Sequence, residues 1–138
     1  MPKEFVDTNI WLYANDARDP KKRDEARQCL SSLNERSSIV VSTQVLTEFF
    51  TVATRKLGVA GPEARALVDR MATFDVVEPS KGLVLDALDL ANRNQLSTWD
   101  ALIIVSASVR RCTAIWSEDL NPGQKILGVE VKNPFKSA

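Results

Sequence analysis

Phe5-Val6-Asp7-Thr8-Asn9-Ile10-Trp11 places an acid where a short apolar strand gives way to a helix, and this junction decides how the rest of the chain is organised. Taken alone, Asp7 fits a helix N-cap, its carboxylate accepting a backbone N–H bond at the helix start. A cation-binding role requires more acids, brought to the same point by the fold. Outward from the junction, residues 3–7 read as a strand and residues 8–13 as a helix that stops near Asn15-Asp16. Asp19 as N-cap and Pro20 at the first helical position start a second helix through Leu33, with Ala26, Leu30 and Leu33 at helical spacing. The basic half of that helix, Lys21, Lys22, Arg23 and Arg27, reads as a solvated face.

Ile39-Val40-Val41 is a bare β-branched run, the mark of a short strand buried on both faces, as parallel sheets require. Ser42 or Thr43 caps a helix to Leu57, closed by Gly58. Pro62-Glu63 opens another, with Ala66, Leu67, Arg70, Met71 and Phe74 on its apolar side. Val76-Val77 is a third strand, and Pro79-Ser80 precedes a helix to Asn92 with Leu85, Leu88 and Ala91 on one face. Ser97-Thr98 caps a helix to Arg111 that is apolar all round and therefore central. Ala114-Ile115-Trp116 is a fourth strand, Val129-Glu130-Val131 a fifth at the edge, and the tail Asn133–Ala138 packs only Phe135. Short strands alternating with longer helices give a single α/β domain over residues 1–138, a three-layer arrangement in which helices flank a parallel sheet of four to five strands. Ligands of such sheets collect at the carboxyl ends of the strands.

The 138 residues suffice for a real core without disulfides or structural metal. Eighteen basic and eighteen acidic side chains cancel, so any polyanion must be met by local basic patches rather than a global field. Cys29 and Cys112 are far apart and form no C-x-x-C pair, which suits two reduced thiols. The chain has no histidine, and this excludes Ser-His-Asp and Cys-His catalysis and imidazole metal ligation. Carboxylates, lysines, hydroxyls or a metal must carry any chemistry. Neither a membrane-spanning run nor a signal-peptide pattern is present, so the expected location is cytoplasmic.

Three further acids fall where the alternating elements would bring them to the edge that carries Asp7. Glu48 lies in the helix after the second strand, at the border of the apolar arc formed by Val45, Leu46, Phe49, Phe50, Val52 and Ala53, and is half buried on that pattern. Arg55 lies on nearly the same side, placed either to neutralise Glu48 or to hold a phosphate beside it. Asp100 is in the first turn of the central helix, where it also completes a capping box with Ser97 and meets the helix dipole. Asp119, in Ser117-Glu118-Asp119-Leu120-Asn121-Pro122-Gly123, follows the fourth strand in a turn composition. Carboxylates crowded together raise one another's pKa, and a divalent cation resolves the conflict. An oxygen-only donor set suits Mg2+ or Mn2+, ions that accept phosphate oxygens and activate water for attack on a phosphodiester.

These residues resemble the PIN domain, and more narrowly the bacterial toxin type of VapBC-like toxin–antitoxin pairs. The resemblance covers essentially the whole chain: Phe-Val-Asp7-Thr8-Asn9, Glu48 in Leu-Thr-Glu-Phe-Phe, Asp100 in Trp-Asp-Ala-Leu-Ile, Ser117-Glu118-Asp119-Leu120 before Gly123, and the Asn133-Pro134-Phe135 ending. It implies a Mg2+- or Mn2+-dependent endoribonuclease. Asp7 and Asp100 would be metal ligands, Asp119 would complete the site, and Glu48 would bind metal, directly or through water, or orient the nucleophile. Thr8, Asn9 and Ser117 would hold the carboxylates, although each also fits a helix-start or turn role. Arg55 and Lys56 would meet RNA phosphates, ahead of Lys21 to Arg23. The resemblance also implies a homodimer and a cognate antitoxin that covers the active-site groove. A haloacid-dehalogenase-like phosphatase would need a second Asp two residues after Asp7, where this chain has Asn9. A receiver-type phosphoacceptor would want an acidic pair near the first strand and a buried lysine late in the sheet, and neither is evident. The rival from another class is a PIN-fold module that binds RNA or protein without cutting. Trp11, Trp99 and Trp116 are expected in the core or the groove wall.

Overall fold

In the computed structural model, which describes residues 1–135, Lys3–Val6 form strand β1 in the interior of a six-stranded sheet. The chain continues through α1 (Thr8–Ala14), α2 (Pro20–Arg36), β2 (Ser38–Ser42), α3 (Thr43–Arg55), α4 (Gly61–Met71), β3 (Asp75–Val77), α5 (Lys81–Asn94), α6 (Thr98–Val109), β4 (Ala114–Trp116), β5 (Lys125–Ile126) and β6 (Val129–Lys132). Strand order is β3-β2-β1-β4-β6-β5. The α/β class is as expected. Phe5, Val6, Val40, Val41 and Ile115 are fully buried, as strands covered on both faces require.

The sheet has one strand more than the sequence suggests, and it is mixed. All pairings among β1, β2, β3, β4 and β6 are parallel, whereas β5 lies antiparallel to β6. The residues expected at the edge are therefore covered by a short hairpin. Its turn is Leu127-Gly128, both at positive φ, 52° and 80°, the geometry of a two-residue type I′ loop. Leucine disfavours that region, so the usual Asn-Gly or Asp-Gly signature is missing.

Local caps explain most helix starts. Asp19 accepts from the Lys22 amide, Ser42 from Val45, Ser80 from Leu83 and Ser97 from Asp100. Gly58 closes α3 two residues beyond its C-cap, Lys56, at φ 70°, with the Val59 amide donating to the Ala53 carbonyl at 3.1 Å. One helix face differs from expectation. In α5 the buried residues are Leu83, Ala87 and Leu90, while Leu85 and Leu88 are exposed by 51% and 40%. Both rows have helical spacing, and packing against α6 selects between them. Likewise Ala66 of α4 is exposed and Ala64 is buried in its place.

A charge sits inside this core. Glu4, on β1, accepts from Trp116 Nε1 at 3.1 Å, from Arg36 Nη1 at 2.9 Å and from the Ser37 hydroxyl. Burial pushes its carboxyl up, but those hydrogen bonds and the charges of Arg36 and Lys132 more than offset it, leaving the group below its ordinary value. Cys29 and Cys112 are free thiols, pushed up by burial to about 11 and about 12. Phe135 packs edge-on against Tyr13, ring centroids 5.0 Å apart, and Lys136–Ala138 lie outside the described residues. Among the described residues, no helix is long and apolar enough to cross a membrane.

Candidate active site

Asp7 stands one residue past the end of β1 and is the N-cap of α1. The helix-cap reading of this residue holds. Its Oδ1 accepts the Thr8 amide at 2.7 Å, and its Oδ2 accepts the Ser117 hydroxyl at 2.8 Å. The residue is only 9% exposed. Desolvation raises its carboxyl to about 6; the bonds from Ser117 and Thr8 oppose that rise, and the charges of Glu48 and Asp119 add to it. Asp7 is thus a buried acid, crowded by two others, with donors too few to hold its charge at the usual value.

The loop after β4 brings Asp119 to this acid through one asparagine. Asn9, in the first turn of α1, donates from Nδ2 to Ser117 Oγ at 3.3 Å and to Asp119 Oδ2 at 3.2 Å, and its Oδ1 accepts the Glu118 amide at 3.1 Å. Ser117 Oγ also accepts the Asp119 amide at 3.2 Å. Asn9 is therefore committed to holding the loop, which gives a physical reason for its standing where a phosphatase of the rival type would carry a second Asp.

Glu48 arrives from α3, half buried as its place on the helix suggested. Its Oε2 accepts from Thr8 Oγ1 at 3.4 Å and its Oε1 from Gln44 Nε2 at 2.8 Å. Arg55 is exposed and forms no ion pair among the described residues, so it does not neutralise Glu48; Lys56 beside it is exposed too.

Asp100 lies in the first turn of α6 at the same edge, but less closely joined. Its amide is capped by Ser97 at 3.1 Å, while its carboxylate makes no hydrogen bond or ion pair among the described residues. Its neighbour Trp99 is tied to Glu48 through Gln44, which donates to the Trp99 carbonyl at 3.4 Å and to Glu48. Trp99 is 65% exposed and, with Gln44, Glu48 and Leu102, borders a cavity of about 590 Å³. Of the other tryptophans, Trp11 is buried and donates to the Val6 carbonyl at 3.2 Å, and Trp116 is half buried beside Glu4. The structure thus brings Asp7, Glu48 and Asp119 into electrostatic contact, and among the described residues it joins Asp100 to them by no hydrogen bond or ion pair.

Three contributors escaped the sequence reading. Gln44 orients Glu48 and carries a signal in hindsight, since i, i+4 amide–carboxylate pairs are common on helices. Lys22 and Tyr13 reach Glu118 across about a hundred positions of sequence, for which no local pattern exists. Lys22 is consequently not part of a merely solvated face.

The carboxylates, hydroxyls and amide oxygens gathered around Asp7 make an oxygen donor set without imidazole or thiolate. Among the described residues no three acids are grouped closely enough to cage an ion between them. Mg2+ does not need such a cage: it keeps several waters and uses one or two carboxylates directly. Oxygen donors of this kind fit a hydrated Mg2+ or Mn2+, for which Asp7, Glu48, Asp119 and Asp100 are the candidate ligands.

The PIN domain family model matches residues 5–124. A toxin–antitoxin complex from Klebsiella pneumoniae contains a chain similar to this one with a TM-score of 0.74 at 19% identity, over 97% of this chain and 99% of that one. VapBC2 from Rickettsia felis, bound to a DNA fragment from its promoter, is similar with a TM-score of 0.69 at 18% identity, over 95% and 98% of the two chains. Mycobacterium tuberculosis VapC20, a toxin that cleaves the sarcin–ricin loop, gives 0.67 at 22% identity over 81% and 86%. No curated protein matches the chain at a significant level.

Proposed function

The chain belongs to the PIN-domain family, and from that premise we propose that it is a Mg2+- or Mn2+-dependent endoribonuclease, the toxin component of a toxin–antitoxin pair. The observation that carries this reading is Asp7: a buried carboxylate raised to about 6, flanked by Glu48 and Asp119, in a fold shared with an RNA-cleaving toxin. Such a cation, when bound, supplies Lewis-acid charge at the phosphodiester and makes water a competent nucleophile at neutral pH. Asp7 and Asp100 are the proposed ligands, Asp119 completes the site, and Glu48 binds the ion or orients the attacking water. Ser117 fixes one oxygen of Asp7, Thr8 fixes the other and steadies Glu48, and Asn9 sets Asp119. Arg55 and Lys56, exposed at the end of α3, supply cations for RNA phosphates, which add affinity without sequence choice. The partners proposed are RNA, a cognate antitoxin and a second copy of the chain.

The test is cleavage of a mixed RNA pool with added Mg2+ or Mn2+. Cutting is expected with the ion and none in EDTA; equal RNA binding in both, with no cutting in either, would establish a binding module instead. Asp100→Asn tests the acid that the structure ties in least: cleavage should fall by roughly 10²–10³. An unchanged rate would remove Asp100 from the mechanism. Expression of the chain alone should slow growth of a bacterial host relative to an Asp7→Asn control. Equal growth of the two cultures would refute the toxin assignment while leaving nuclease chemistry to the RNA assay.

A further inference from the structure

Asp119 is exposed and, among the described residues, its carboxylate has a single donor, Asn9, so its placement depends on the backbone that carries it. That backbone is a turn rich in Asp, Asn, Pro and Gly, a composition that by itself leaves a loop mobile. It is anchored at Ser117, whose amide donates to the Lys132 carbonyl at 2.9 Å, and at the buried Leu120. Between them, the Glu118 side chain is gripped from α1 and α2. Tyr13 donates to Glu118 Oε1 at 2.9 Å, and Lys22 Nζ donates to Glu118 Oε2 and to the Tyr13 hydroxyl at 3.3 Å. The ammonium lies 4.5 Å from the Tyr13 ring centroid and 5.2 Å from that of Phe135. Phe135 is in turn held by its amide, which donates to Asn133 Oδ1 at 2.8 Å.

We propose that Tyr13, Lys22 and Phe135 form a strut that acts through Glu118 to position Asp119 for the cation. The inference rests on the nuclease reading for the purpose of the strut, and on geometry alone for its existence. The order of the contacts argues for this role. Asn9 holds the Glu118 amide on one side and the strut holds the Glu118 carboxylate on the other, so the residue before Asp119 is fixed at both ends. The charge-assisted bond is only partly open to water, with Lys22 and Glu118 side chains 31% and 27% exposed, so it is stronger than a surface pair.

Lys22→Met, which keeps the aliphatic stem over the two rings, and Lys22→Arg, which keeps the charge, test the strut in the full chain. In metal-free protein, amide exchange over residues 117–120 is expected to quicken about tenfold in Lys22→Met, as loss of one charge-assisted bond implies. Mn2+ binding by calorimetry should weaken by a similar factor, with RNA affinity in EDTA unchanged, the thermal midpoint lowered by only a few degrees and Lys22→Arg close to wild type. Unchanged exchange at 117–120 would overturn the proposal. So would a fall in RNA affinity in EDTA, which would make Lys22 a phosphate contact, or a uniform rise in exchange over α1 and α2, which would make it a packing residue. If wild-type protein cuts no RNA, the nuclease reading fails separately, and the exchange measurement still decides the strut.

Discussion

Asp7→Asn is expected to reduce RNA cleavage below about a thousandth of wild type and, in metal-free protein above pH 6, to raise stability by about 2 kcal/mol. The sign follows from the direction of the shift. The Asp7 carboxyl titrates near 3.8 in the unfolded chain and at about 6 in the folded protein, so burying its ionised form opposes folding. That opposition is absent below about 3.8, grows as pH rises through the window, and is complete above about 6. Asparagine retains an oxygen for the Thr8 amide, but its amide group meets a Ser117 hydroxyl that already accepts from Asn9 and from the Asp119 amide, so the bond to Ser117 is lost and takes about 1 kcal/mol from the roughly 3 kcal/mol that the shift implies. Denaturant unfolding of both proteins across this range in EDTA is the measurement. The variant's advantage should vanish at low pH, and saturating Mn2+ should stabilise wild type while leaving the variant little changed. A variant less stable than wild type at every pH would mean that Asp7 is a cap whose charge the fold needs.

Ser117→Ala should act on the same acid with the opposite effect on stability. The hydroxyl is fully buried and serves three partners, donating to Asp7 and accepting from Asn9 and from the Asp119 amide. Its removal leaves an ionised buried carboxylate short of a donor and a backbone amide short of an acceptor, at a cost of about 2–3 kcal/mol near neutral pH. The Asp7 carboxyl moves further up, so the penalty shrinks as pH falls below about 6 and the acid is neutralised. Cleavage should drop by about 10–100-fold, the usual effect of losing a group that orients a ligand. The pair forms a double-mutant cycle: in the Asp7→Asn background most of the Ser117→Ala penalty should disappear, because the charge it served is gone. Additive costs would show that Ser117 acts through the loop and not through Asp7.

The parts of this site that lay near one another in sequence were legible, and the parts joined across the fold were not. A bare Ile39-Val40-Val41 run, an acid after an apolar pair and serines ahead of helical runs are local signals, and the sheet core and the capped helices follow from them. The face of α5 is ambiguous in sequence because Leu83/Ala87/Leu90 and Leu85/Leu88 both fall at helical spacings, and packing against α6 distinguishes them. The β5–β6 hairpin was missed because its turn uses Leu127 in a conformation leucine disfavours. Glu48 could be placed from its helix, whereas the grip on Glu118 could not. Lys22 and Glu118 are 96 positions apart, and each alone has the look of an ordinary surface charge.

The same distance has a consequence for the order of synthesis. β1 lies between β2 and β4, and the second oxygen of Asp7 receives its donor from Ser117, 110 positions later. A chain still emerging from the ribosome has made β1, α1 and α3 long before it has the strand that completes the other side of β1. Until then Asp7 lacks its buried hydroxyl and Asn9 has no loop to hold. Contacts of such long range form late, because chain closure must precede them. Any activity that depends on Asp119 is thus withheld until synthesis has passed residue 119, and fragments ending before residue 117 are expected to be inert.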